Sequence, residues 1–166
     1  MVKKKSNEDI EEKNRALAEM KRKIEANPFV TEPICKYILN VVNKNNFKAK
    51  VDFRIYKEHA LNRNQIMMLR DAVNRHYDNF TQTLCKTYSE LTIDDIDYCC
   101  FYLLGLKDAD ISALIQRAYP TVYQRSQKLK RVFNTSESLQ AAVMALATRS
   151  YKNTHVADYQ LPHPDT

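Results

Sequence analysis

Glycine is almost missing from this chain: Gly105 is the single one among 166 residues. Gly-rich loops cannot be built from one glycine, which excludes the phosphate cradles of P-loop and Rossmann nucleotide sites. No apolar run reaches the about 20 residues needed to span a bilayer. The lysine-rich start is not followed by the apolar segment of an export signal, so the chain is expected to act in the cytoplasm. Strict apolar/polar alternation, the mark of a half-buried strand, is absent over any useful length. The four cysteines, Cys35, Cys85, Cys99 and Cys100, show no CxxC spacing and read as reduced core thiols. His59, His76, His155 and His163 are scattered, and no HxxxH or HExxH pair shares a helix face. The chain therefore reads as non-enzymatic, with no catalytic residue, metal, cofactor or small-molecule substrate expected.

What remains is a chain of good helix formers with 44% hydrophobic residues, enough for the core of one domain. We read it as all-α. The formal charge of +6 and sequence pI of about 9.1 permit a polyanionic partner without requiring one.

Four regions follow along the chain. Residues 1–28 form a charged helical stalk in which Ile10, Leu17 and Ile24 recur seven apart, the spacing of a short coiled coil, with Met20 completing part of a second seam. Residues 29–90 form a helical scaffold. In it, Thr31 is the candidate cap of a helix bearing Ile34, Ile38, Leu39, Val41 and Val42. Val51, Ile55 and Tyr56 suggest a short helix, Asn64 to Arg75 another with Ile66, Met67, Leu69, Ala72 and Val73 inward, and Phe80 to Tyr88 a third. Residues 91–134 carry the helix-turn-helix, and residues 135–166 a last amphipathic helix with Leu139, Val143 and Leu146, a candidate dimer arm or lid over the reader, followed by a polar tail.

The clearest start signal is Leu91, Thr92, Asp95 and Ile96, a hydrophobic staple around a capping box with aspartate as its acid. That helix is predicted to bury Ile96, Cys99, Cys100, Leu103 and Leu104 and to stop at Gly105, which can take the left-handed conformation that closes a helix. Asp94, Asp95 and Asp97 fall in its first turn, where the macrodipole stabilises carboxylates. Asp108 is predicted to cap a short helix with Ile111, Leu114, Ile115 and Ala118, and Tyr119-Pro120 to turn the chain. A third helix is predicted from Thr121 to about Phe133, burying Val122, Leu129, Val132 and Phe133.

Helix, glycine corner, short capped helix, turn and basic helix make the layout of a major-groove reader. From Gln116 to Phe133 the charged residues are Arg117, Arg125, Lys128, Lys130 and Arg131, with no acid among them. With the apolar positions turned inward, Tyr123, Gln124, Gln127 and Lys128 are the candidates for base edges, because a glutamine amide pairs with adenine and lysine donates to guanine. Arg117, Thr121, Arg125, Lys130 and Arg131 are the candidates for phosphate contacts. Tyr98, Tyr102, Tyr119 and Tyr123 sit around the reader and are expected to pack at the edge of the core.

Leu91-Thr92, Gly105-Leu106, Ile111, and Thr121-Val122 with Arg125 stand at spacings that resemble the LuxR-type helix-turn-helix. Residues 8–133, and more specifically Asn79 to Phe133, are similar to the cytoplasmic tails of bacterial membrane-anchored regulators in which tetratricopeptide repeats and a membrane helix precede a short coiled coil and this reader. The resemblance implies a transcriptional regulator whose sensing portion lies outside this chain, with double-stranded DNA as partner. One short helix reads few bases, so a homodimer is expected. Gln116 stands where that family has a turn glycine, Ser112 replaces its alanine, and residues 117–120 replace its Ile-Ser turn, so the corner is expected to differ in shape. The alternative is a helical protein-interaction module that keeps the scaffold without binding DNA.

Overall fold

The computed structural model describes the backbone of residues 2–25 and 27–159 and the side chains of residues 7–18 and 27–149. Among the described residues the chain is all-helical, with no strand. The helices are α1 (Val2–Glu25), α2 (Pro33–Asn45), α3 (Arg63–His76), α4 (Phe80–Thr87), α5 (Ile93–Leu103), α6 (Asp108–Ile115), α7 (Tyr119–Phe133) and α8 (Leu139–Tyr159). Short 3-10 segments occupy Pro28–Thr31 and Phe53–His59.

The stalk is helical, and it packs against the Pro28–Thr31 segment. Ile10 and Leu17 are 52% and 64% exposed, so at these two positions the described residues leave the heptad stripe uncovered. The side chains of Met20 and Ile24 lie outside the described residues. The Asn27 side chain accepts from Phe29 N–H and starts the 3-10 segment. Thr31 does not cap α2: its hydroxyl donates to the Pro28 carbonyl at 2.6 Å. Glu32 takes the cap position instead and Pro33 opens the helix, where its missing N–H costs nothing.

A second capping box, made by Asn62 and Gln65, starts α3. Leu69, Ala72 and Val73 are buried on it, whereas Met67 remains 47% exposed. Met67 follows Ile66 and so lies about 100° further round the helix, off the inward face. The predicted short helix near Ile55 is the 3-10 segment, with Ile55 outward.

At α5 the expected capping box forms, with Thr92 Oγ1 accepting from Asp95 N–H and the Asp95 carboxylate from Thr92 N–H at 2.9 Å. All of Ile96, Cys99, Cys100, Leu103 and Leu104 are buried, and so are Tyr98, Phe101 and Tyr102. A single inward face was expected. From Tyr98 onward the helix is instead covered all round, with α3, α4 and α8 packed against it, while Ile93 and Asp94 in its first turn stay exposed. The Tyr102 hydroxyl is satisfied by Asp108 at 2.6 Å.

Gly105, at φ 84, closes α5 with a Schellman pair: its N–H donates to Tyr102 and that of Leu106 to Phe101. Lys107, not Asp108, occupies the cap position of α6, and Asp110 accepts from its N–H at 2.9 Å. Ala118 is not part of α6, which ends at Ile115; it caps α7. Tyr119 and Pro120 do not form a turn between helices. They are the first residues of α7, where a proline lacks only a hydrogen bond that the first turn would not have made.

In α8, Leu139, Ala142, Val143 and Ala147 are buried against α4, α5 and α7, so its described part belongs to the core rather than to a lid. The core runs without a break from Phe29 to Ala147. Scaffold and reader are also joined by main chain, Leu61 N–H donating to the Leu114 carbonyl at 2.8 Å.

Candidate nucleic-acid interface

Asp95 lies where α5 meets α7. It follows its cap by three residues, which brings its carboxylate back over the start of α5, and there it is fully buried. Arg125 and Lys128, three apart and therefore on one face of α7, reach down to it. Arg125 NH1 donates to Oδ1 at 2.7 Å and Lys128 Nζ to Oδ2 at 2.6 Å. The guanidinium lies 5.0 Å above the Tyr98 ring. Burial alone would push the Asp95 carboxyl up, but hydrogen bonds from Lys128, Thr92 N–H and Arg125 outweigh it and hold it below the ordinary carboxylate range.

This changes what two candidate residues are placed to do. Lys128, on the outward face, was assigned to base edges and Arg125 to phosphates. Their charged heads instead turn onto Asp95, leaving the two side chains 36% and 27% exposed. A buried carboxylate demands such partners. The macrodipole accounts for only part of the acidic first turn, because Asp97 is likewise paired, with Arg70 at 2.6 Å.

The other candidates are distributed around α7. Thr121, Tyr123 and Gln124 are exposed near its start, with Tyr123 at 48%. Gln127 and Lys130 are half-buried at the margin of that face, and Arg131 is exposed near the end. Arg117 is exposed just before the helix. Among the described residues, Arg117, Lys130 and Arg131 form no ion pair. The Tyr119 and Tyr123 rings stack at 6.4 Å on the outside, unlike Tyr98 and Tyr102, which are in the core.

The corner keeps a left-handed residue without a glycine. Gln116 sits at φ 56 and ψ 52, and its Nε2 donates to the Ala113 carbonyl at 2.8 Å and to that of Phe53 at 3.0 Å. The Ser112 hydroxyl donates to the Arg117 carbonyl. Gln116 and Ser112 thus supply hydrogen bonds that close the corner, and Gln116 offsets its backbone strain with side-chain bonds.

Comparison with protein-family models, curated proteins and solved structures returned no match. The functional reading therefore rests on the geometry around α7. Among the described residues, no cluster of three or more His, Cys, Asp or Glu side chains is placed to hold a metal. Cys35, Cys99 and Cys100 are buried as expected, but Cys85 is exposed on α4. Burial pushes the Cys35 thiol up to about 12 and those of Cys99 and Cys100 upward as well, so these three stay protonated and unreactive.

A cavity of about 440 Å³ adjoins the corner, with Tyr98, Arg117, Thr121 and Arg125 in its wall. A shallower groove of about 410 Å³ runs from Thr92 past Thr121 and Gln124 to Lys128. The two depressions share Asp94, Thr121 and Arg125, so the start of α7 stands as a ridge with hollows beside it.

Proposed function

We propose that this chain is a DNA-binding transcriptional regulator of LuxR-like helix-turn-helix type, with α7 as the helix that enters the major groove. The observation that carries the reading is the first half of α7: Thr121, Tyr123 and Gln124 project from a helix whose angle is fixed underneath by the Arg125–Asp95–Lys128 bridge. A groove reader needs exposed amides and hydroxyls on a rigid mount. Gln124 reads a base edge, Tyr123 and Gln127 contact neighbouring ones, and Thr121, Arg117, Lys130 and Arg131 hold phosphates. Arg125 and Lys128 act from beneath, as positioning residues, with any contact to DNA made by their remaining N–H groups. The protein works as a homodimer, joined through the exposed Ile10 and Leu17 stripe of α1, in the cytoplasmic part of a larger sensor.

A second reading has one observation in its favour. Asp95 engages two of the five cations of residues 116–133 and offsets one of their charges, which leaves a less basic face suited to an acidic protein partner. Fluorescence anisotropy of Gln124→Ala on a selected duplex separates the two. As a groove reader it loses about 1–3 kcal/mol of discrimination at one base position, with unfolding unchanged. As a protein-interaction module, neither it nor the parent chain prefers any sequence.

A further inference from the structure

The loop from Phe47 to His59 lies outside the helix-turn-helix and was assigned no role from the sequence. It is anchored on Phe47, which is 5% exposed and packs edge-on to Tyr56 at 4.6 Å and beside His59 at 5.9 Å. The Tyr56 hydroxyl accepts from Lys48 N–H, folding the loop back on itself. Its 3-10 segment packs along α6. One bond ties it to the corner between α6 and α7, from Gln116 Nε2 to the Phe53 carbonyl, and a second just beyond the loop runs from Leu61 N–H to the Leu114 carbonyl.

The exposed charges on this loop are unbalanced. Lys48, Lys50, Arg54 and Lys57 face Asp52 and Glu58. Asp52 is taken by Arg54 at 2.7 Å, and Glu58 lies 3.8 Å from His59. Lys48, Lys50 and Lys57 therefore have no carboxylate partner among the described residues.

In a docked helix-turn-helix the second helix enters the groove while the first crosses the sugar–phosphate backbone. A loop packed along that first helix and pinned to its carboxyl end is carried to the same backbone. We infer that the Phe47–His59 loop is a second DNA contact, in which Lys48, Lys50 and Lys57 hold phosphates flanking the site that α7 reads. The inference rests on the DNA-binding reading above. The loop adds affinity and salt dependence but no base preference, since ammonium groups on phosphates carry no sequence information.

The test is the dependence of duplex affinity on salt, measured with the full chain, its Lys48→Gln/Lys50→Gln/Lys57→Gln variant, and a Lys36→Gln/Lys44→Gln control on α2. All five lysines are exposed, so melting curves should coincide. Each lost phosphate contact lowers the slope of log K against log salt by about 0.9, and the triple variant should fall by about 2–3 while its ranking of duplex sequences stays the same. The control should keep the parent slope. A triple variant with the parent slope, or one matched by the control, overturns the inference while leaving DNA binding through α7 intact. Failure of the parent chain to bind any duplex at low salt removes the underlying reading, and the inference with it.

Discussion

Replacing Asp95 by alanine should be among the most damaging single changes in the reader. The substitution removes the acceptor of Arg125 NH1 at 2.7 Å, of Lys128 Nζ at 2.6 Å and of Thr92 N–H at 2.9 Å. Breaking a buried pair by deleting one member costs about 3–5 kcal/mol, chiefly because the other charge is left stranded. Here the stranded cations are 27% and 36% exposed and can turn to water. That places the cost at the lower end, about 3 kcal/mol, of which the lost capping bond supplies about 1 kcal/mol. Urea unfolding followed by circular dichroism measures it, as a lower midpoint at unchanged slope. Asp94→Ala is the matched control: the side chain is exposed, forms no hydrogen bond among the described residues, and should change stability by less than about 0.5 kcal/mol. If Asp95→Ala costs under about 1 kcal/mol, or no more than Asp94→Ala, then the bridge does not hold α7 and the reasoning fails.

The same carboxylate sets a pH dependence. Its folded-state pKa lies below the ordinary value of about 3.9, so its contribution is complete above about pH 4 and is lost as the pH falls through the folded value. Burial raises Asp97, partly offset by Arg70, and raises Asp110. These act in the opposite sense, so the informative comparison is Asp95→Asn against the parent chain, with a flatter acid limb expected for the variant. Gly105→Ala should lose about 1–2 kcal/mol in thermal unfolding from the left-handed backbone alone, since the new Cβ would stand 3.0 Å from the movable end of Gln140. Thiol titration of the native chain should find Cys85 reacting at once, and Cys35, Cys99 and Cys100 only on denaturation.

Local signals in the sequence translated well into structure, and long-range ones did not. The Thr92–Asp95 box and the Gly105 corner depend on residues three to five apart, so their geometry is written into nearby positions. The Arg125 and Lys128 bridge links residues thirty or more apart in sequence, and nothing in the helical period of α7 says that its basic face leans on a buried acid. The sole available hint was that Asp95, at the third helical position, points back under its own cap. The burial of α5 from Tyr98 onward was hidden for a related reason: Tyr98 and Tyr102 look amphipathic until Arg125 of α7 lies over one ring and Asp108 of α6 accepts from the hydroxyl of the other. At the Gln116 corner the missing glycine signalled an altered shape but not how the turn would close. The backbone requires a left-handed residue, and a glutamine with two carbonyls in reach of its amide meets it.

The most direct test of the DNA-reading proposal is selection from a random duplex library with the purified chain at low salt, followed by the affinity of the winning sequence and of a scrambled duplex as salt rises. The proposal predicts an enriched motif, arranged as two half-sites if α1 pairs the chains, with a preference over scrambled DNA that survives to physiological salt and is lost in Gln124→Ala. Equal binding of both duplexes, in the range of about 10⁻⁴–10⁻⁶ M typical of non-specific contacts, would contradict it and leave α7 as a surface for another protein.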